Sequence, residues 1–494
     1  MVSLKELLQS IDILEVLHDQ DMHLSGIAYH SQKTSKGNLF ICINGYKADG
    51  HHFLASAVEN GATAAIVERF QEGISIPQYR VADSRVALAR LAAAYNDWPS
   101  EKMTMIGITA TNGKTTSSYI TNAILENHGL STGLIGTVVI KYGETSIPAE
   151  LTTPESLDLQ TYLKGMVDHG VTHVTMEVSS AALEAHRVEA VDYDIVTLNN
   201  LSREHIDSHG SFEGYFAAKS SLVRNAGAHS VAILNLDDVY SASLVNETKA
   251  QVITFGVKSH EGHFACKDLD LSTGRAKFKV EITQPFSARG IDFSPGEFEV
   301  QLAVPGLHSV YNAMVAIIIG LLNGVPVNTI QQTLQTFPGV ERRFEFIHED
   351  EFIIIDDHFA NPGNINVTLE TLRFMNFERL HLVYAIRGSR GPTVNRENAE
   401  SIVKWLARLE LDEIIATKSI SHVTEKDVVT DEETRVFMEV MAAANIHVTL
   451  VDELPDAIAI ALKHVAKGDL ILLAGCQGMD PGGQIALQQL SNSI

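Results

Sequence analysis

Residues 103–116 read MTMIGITATNGKTT, an apolar run, then a glycine- and threonine-rich turn, then Lys-Thr-Thr at the head of a segment with helical character. Strand into turn into helix constrains this chain more than any other stretch. It sets the unpaired first N–H groups of a helix, and the positive end of its dipole, at the mouth of a tight turn, which is how backbone holds a phosphate. In such a loop Thr111, Asn112, Gly113, Thr115 and Thr116 face a nucleotide and Lys114 reaches its β- and γ-phosphates. The hydroxyl of Thr115 is then the candidate ligand for Mg²⁺. The strict phosphate-loop pattern needs glycine at position 108, where this chain has Ile108. The alternative is a strand-to-helix turn with an incidental Gly-Lys-Thr, and the apolar strand before it and the helix after it speak against that.

At 494 residues the chain is too long for one core, and three domains is the natural expectation. Pro99 disfavours helix at Trp98 and marks one boundary. We therefore expect domains at 1–100, 101–337 and 338–494. The formal charge of −24 argues against general affinity for nucleic acid or anionic membrane, so a phosphorylated ligand must meet local cations. Cys42, Cys266 and Cys476 lie far apart without metal-ligand spacing, as buried thiols in a reducing compartment would. The N-terminal MVSLKELLQSIDILEVL has the period of an amphipathic helix and carries Lys5, Glu6, Asp12 and Glu15, unlike a signal peptide. No apolar stretch approaches the roughly 20 residues that span a bilayer. The expectation is a cytoplasmic monomer acting on small molecules.

Along the chain, GNLFICI and ATAAIVE read as buried strands around a helix-like HHFLASAVENG, and a helix follows to Pro99. In LTTPESLDLQTYL, Thr153 is a candidate helix cap with Pro154 at the first helical position. THVTMEVSS carries Glu177 to the end of an apolar strand, where ligands collect in open α/β sheets. A carboxylate there suits Mg²⁺, although a strand-end glutamate can also simply face solvent. His205, Asp207 and His209 have spacing that a transition metal could use, but no cysteine lies near them. By composition Lys219 is an ordinary helix lysine. From about Thr254 to Leu302 apolar and polar residues alternate as in an antiparallel edge region. Thereafter strands alternate with helices, the signature of a doubly wound parallel sheet whose crevice lies near Asp356–Asn361 and Arg387–Arg390.

TATNGKTT resembles the ATP loop of the Mur ligases, which usually read TGTNGKTT, with Ala110 in place of a glycine. The resemblance extends over nearly the whole chain. SQKTSKGNLFICINGYKADGHHF is similar to the N-terminal uridine-nucleotide domain of the MurE-type members. It implies that Ser31 contacts the nucleotide, while His30 and Gln32 replace the usual flanking Asp and Arg. TTPESLDL and MEVSS with His186-Arg187 imply that Thr152, Thr153, Ser179 and Arg187 hold a muramoyl-peptide acceptor. NLSREHIDSHGSFEGYFAAK is similar to NLxxDHLDxHGxxExYxxAK. It implies a second Mg²⁺ on His205, with Asp207 supporting it, and a carbamoylated Lys219 as a metal ligand. Asn312 is implied near the adenine, and Arg343 of the GRFE-type signature beside the ATP phosphates. In the last third Asp357 and Arg390 are retained as cofactor- and substrate-binding candidates. DNPR and GKGHE, which receive the incoming amino acid in many members, are replaced by KSISH and CQGMD.

The fold class implied is α/β in three domains: a small N-terminal α/β nucleotide-sugar domain, a central phosphate-loop ATPase domain and a C-terminal Rossmann-like doubly wound domain. The activity implied is an ATP- and Mg²⁺-dependent amide ligation, through an acyl phosphate, onto a UDP-N-acetylmuramoyl-dipeptide-like acceptor in peptidoglycan precursor biosynthesis. Lys114, Glu177, His205, Lys219 and Arg343 carry it. The alternatives are a divergent paralogue joining a different amine or acceptor, and a catalytically silent nucleotide-binding regulatory protein. Retention of Lys114, Glu177, His205 and Lys219 argues against silence.

Overall fold

The computed structural model describes residues 2–45, 48–202, 211–339, 344–411 and 413–492. They form two compact units: Met1–Ala265 with Ile282–Gly296 and Asn312–Ile330, and Cys266–Glu281 with Glu297–Tyr311 and Gln331–Ile494.

Two main sheets carry the first unit, beside two-stranded pairs. The smaller is built from β1 (Glu15–Leu17), β2 (Gly26–Ala28), β3 (Asn38–Ile41), β4 (Ala62–Val67) and β5 (Gln78–Arg80), in the order β1-β5-β4-β3-β2. Its core of Leu24, Leu39, Ile41, Ala64 and Ile66 is covered by α1 (Ser84–Tyr95), which Asp83 caps through its carboxylate. The N-terminal stretch departs from the expected single helix. Only Leu4–Leu8 is helical, and Glu15–Leu17 pairs antiparallel with Gln78–Arg80. The open edge of that sheet outcompetes a marginal amphipathic period.

The larger sheet runs through β6 (Thr104–Thr109), β7 (Thr132–Ile135), β8 (Val139–Tyr142), β9 (Thr145–Pro148), β10 (His173–Glu177), β11 (Ile195–Leu198), β12 (Val231–Asn235) and β13 (Gln251–Gly256). Within this unit their order is β9-β8-β7-β10-β6-β11-β12-β13. β6 is central and parallel to both neighbours, with Ile108 opposite Glu177 on one side and Thr197 on the other. Its apolar run is continuous because strands buried on both faces need no alternation. α2 (Lys114–Asn127) follows the loop and ends at Gly129, whose φ of 89° supplies the left-handed terminus. α3 (Ser156–Asp168) and α4 (Phe212–Arg224) complete the part that matters for the site. The alternating region is only partly antiparallel. Phe286–Ala288 and Ile291–Phe293 form an antiparallel hairpin, whereas Phe264 enters parallel to β13.

The second unit carries the sheet β14 (Glu345–Glu349), β15 (Ile353–Asp357), β16 (Leu380–Ala385), β17 (Glu413–Thr417), β18 (His447–Val451) and β19 (Leu470–Ala474), in the order β14-β15-β19-β16-β17-β18. All pairs are parallel except β14 with β15. The doubly wound expectation holds, with β14 added as an antiparallel edge. Among the described residues no helix is long and apolar enough to cross a membrane.

Candidate active site

The loop after β6 is fixed from below. Gly113 has φ 89°, and a Cβ there would stand 2.2 Å from Asn312 Oδ1. Only glycine fits so close an approach. Asn312, on α5 (Leu307–Leu322), also accepts from Ser117 Oγ at 3.1 Å and Asn199 Nδ2 at 3.3 Å. The structure thus places Asn312 beneath the loop, with its buried Nδ2 lacking a hydrogen-bond partner among the described residues. The sides of the loop are tied to the end of β11. Asn112 N donates to Asn200 Oδ1 at 3.0 Å, Asn200 Nδ2 donates to Asn112 O at 2.9 Å, and Thr111 Oγ1 lies 3.1 Å from the Tyr215 hydroxyl.

Two ammonium groups converge on one oxygen of this loop. Lys114 Nζ donates to Ala110 O at 2.9 Å and Thr111 O at 3.1 Å, while Lys219 Nζ, fully buried on α4, donates to the same Ala110 O at 2.8 Å. Lys219 is therefore no exposed helix lysine.

Glu177 is buried at the end of β10 and does not face solvent. Its Oε2 accepts from Thr115 Oγ1 at 3.0 Å and Thr137 Oγ1 at 2.9 Å, and its Oε1 from Thr137 N at 2.9 Å. A Cβ on Gly136 would stand 2.3 Å from that Oε1. Thr137 was not singled out from sequence, and its signal was a Gly-Thr pair just past the end of β7. The Thr115 hydroxyl and Glu177 carboxylate are hard oxygen donors of the kind Mg²⁺ takes. The glycine-lined loop and first turn of α2 have the shape that cradles phosphates. Both groups fit the residues present.

Beside Glu177 lies the second cluster. Thr153 Oγ1 donates to Glu177 O at 2.8 Å and accepts from Ser179 N at 3.0 Å. This corrects the expectation of a Thr153 cap: α3 begins at Ser156, and the threonine hydroxyl is spent on β10 instead. Thr152 Oγ1 is 3.1 Å from Thr137 Oγ1. Arg187 donates from Nη1 to Thr153 O at 3.1 Å and pairs through Nη2 with Glu155 at 2.8 Å. Thr152, Thr153, Ser179 and Arg187, 35 residues apart in sequence at most, therefore join the Glu177 end of the ATP loop. In the smaller sheet, Ser31 opens the turn after β2 and its carbonyl accepts from Asn60 Nδ2 at 3.0 Å. Nearby, Glu68 N donates to His51 Nε2 at 2.9 Å, so the His51 proton sits on Nδ1, 2.6 Å from Asp49 Oδ1. His205, Asp207, His209 and Arg343 lie outside the described residues.

In the second unit Asp357 is buried at the end of β15, accepting from Phe344 N at 2.7 Å and from the Thr368 hydroxyl. Arg390 stands on a turn organised by Glu433, whose buried carboxylate accepts from Arg390 N at 2.9 Å, Gly391 N at 2.8 Å and Thr430 N at 2.9 Å. Burial opposes the charge of Glu433, but these backbone donors outweigh it and hold its carboxyl below the ordinary glutamate value. The stabilisation is complete above the unfolded value of about 4.3 and is lost as pH falls through the lowered folded value. Glu433→Gln should cost about 2 kcal/mol at pH 7 and much less once wild-type Glu433 is protonated. Denaturant titrations at the two pH values check this.

The description "Mur ligase family, catalytic domain" matches residues 23–96, "Mur ligase middle domain" residues 108–320, and "Mur ligase, glutamate ligase domain" residues 342–477. The UDP-N-acetylmuramoyl-L-alanyl-D-glutamate–2,6-diaminopimelate ligase of Caldanaerobacter subterraneus subsp. tengcongensis is 34% identical over 93% of this chain and 91% of its own. That of Listeria monocytogenes serovar 1/2a is 34% identical over 96% and 93%. A solved structure of a ligase with the same name has the same fold, with TM-score 0.74 and 21% identity, over 100% of this chain and 99% of its own. Loop, carboxylate and lysines thus stand in a chain that belongs to the Mur ligase family, the ATP-dependent, ADP-forming ligases of peptidoglycan precursor synthesis.

Proposed function

We propose that the protein joins an amino acid to a UDP-N-acetylmuramoyl-dipeptide-like acceptor in the cytoplasm, as a monomer, at the expense of ATP. The assignment of domains to 1–100 for the UDP-substrate, 101–337 for ATP and 338–494 for ligation belongs to the same reading. The observation that carries it is the meeting of the ATP loop, Glu177 and the Thr153–Ser179–Arg187 cluster at the ends of β6 and β10. It puts a phosphate cradle next to groups suited to an acceptor carboxylate. Relatives named for UDP-N-acetylmuramoyl-L-alanyl-D-glutamate support that choice of acceptor.

The acceptor carboxylate oxygen attacks the γ-phosphorus, the bond to ADP breaks, and an acyl phosphate forms. The amine then attacks the acyl carbon, phosphate leaves, and an amide results. In this scheme Lys114 and the first turn of α2 hold the transferring phosphoryl group, and Arg343 adds a further charge. Thr115, Glu177, His205 and a carbamoylated Lys219 are the residues that would hold Mg²⁺, which when bound neutralises phosphate charge. Arg187 orients the acceptor with its planar fork. Ser31, Thr152, Thr153 and Ser179 contact the same molecule, and Asn312 fixes the loop that receives ATP.

ADP release with UDP-N-acetylmuramoyl-dipeptide and a panel of amino acids tests the reading. Release with a single amine is expected and names the substrate. No release with any amine, despite ATP binding, overturns it. The loss of DNPR and GKGHE in the last third favours one second reading, a paralogue with a different amine. Release only with an amine other than 2,6-diaminopimelate would establish that version.

A further inference from the structure

The Ser31 turn and the Thr152–Thr153 turn belong to different sheets of the first unit, so holding one acceptor between them requires a fixed spacing. The first turn of α3, immediately after Thr153, supplies it. Tyr29, between β2 and the Ser31 turn, donates its hydroxyl to Asp158 Oδ2 at 2.6 Å. Leu157, the residue before, packs onto the core of the smaller sheet. Glu155 faces both ways, with one oxygen 2.8 Å from Arg187 Nη2 and the other 3.6 Å from Arg85 Nη1 on α1. Arg90, one turn further along α1, pairs with Glu189 at 3.3 Å and braces the same junction.

We propose that the Tyr29–Asp158 hydrogen bond, backed by Leu157 and the Glu155 bridge, is a latch that sets the distance between the nucleotide end and the peptide end of the acceptor site. Tyr29 is then a positioning residue for the acceptor, acting through the Ser31 turn. The inference rests on the reading above, that Ser31 and the Thr152–Thr153–Arg187 cluster hold one molecule. The chemistry of the link suits a permanent tie. Burial first, then the Asp158 carboxylate, push the Tyr29 phenol well above its usual range, so it remains a donor across the physiological pH span. A phenol–carboxylate bond is also short and charge-assisted. Release of the latch would let the two turns drift, a penalty that falls on a substrate spanning both and spares ATP, which touches neither turn in this scheme.

Steady-state ADP release with UDP-N-acetylmuramoyl-dipeptide separates these effects. Tyr29→Phe should raise KM for the acceptor roughly tenfold, with kcat and KM for ATP within about twofold of wild type. Asp158→Ala should do the same, and the double variant should be no worse than either single one, because both remove one interaction. A merely structural contact would lower the unfolding midpoint and leave acceptor KM alone. Wild-type turnover with an unmoved acceptor KM in Tyr29→Phe overturns the latch alone, as does a parallel rise in both KM values. Absence of wild-type turnover with this acceptor overturns the acceptor reading, and the latch with it.

Discussion

Lys114→Ala is expected to lower ADP formation by at least about two to three orders of magnitude, the effect of removing a preorganised charge from a site where charge develops. In the structure the ammonium is held by the carbonyls of Ala110 and Thr111 at the loop's base. Preorganisation is what makes such a charge effective, since no reorganisation is needed during the reaction. Loop geometry itself depends on Gly113, Asn312 and Asn200, which the substitution leaves in place. The unfolding midpoint should therefore move by only a few degrees while turnover collapses. Activity within tenfold of wild type would remove Lys114 from the phosphate site.

Lys219→Ala should abolish turnover to a similar degree, with partial recovery on adding short carboxylates such as acetate. Its Nζ lies buried against Ala110 O and Thr109 Oγ1, and 5.1 Å from the Tyr215 ring centroid. Truncation leaves a hole of side-chain size that a small carboxylate can enter, supplying the oxygen pair that a carbamate would. Lys219→Gln serves as the control, since it fills the space without a charge and should not be rescued. Full activity in Lys219→Ala would refute the carbamate, and loss without rescue in the presence of intact ATP binding would leave an ammonium as the working form.

What the sequence disclosed followed from how local each determinant is. The loop was legible because strand, turn and helix signals sit within fourteen consecutive residues from Met103 to Thr116. Glu177 was legible because a carboxylate closing an apolar strand is unusual on its own. The doubly wound unit was legible from its alternating periods, whereas β14, although joined to β15 by a three-residue turn, was missed because Glu345, His348 and Glu349 break the apolar run that announces the other strands. Thr153 misled because its local chemistry is that of a helix cap, and tertiary bonds to β10 took precedence. Thr137, Tyr29, Asp158 and Glu433 were silent for a common reason: each acts through a partner brought near only by folding. Lys219 needed the family pattern, as nothing in YFAAKSSLV marks it for burial.

The site's principal groups hang from the carboxyl ends of β10, β6 and β11, three adjacent strands in the interior of a parallel sheet. Interior strands open to solvent exchange only when the surrounding unit opens, so their amides are expected among the slowest to exchange. The ATP end of the reaction is thereby tied to global stability. Substitutions elsewhere in this unit that weaken folding will cost the protein its abundance before they loosen its grip on phosphate.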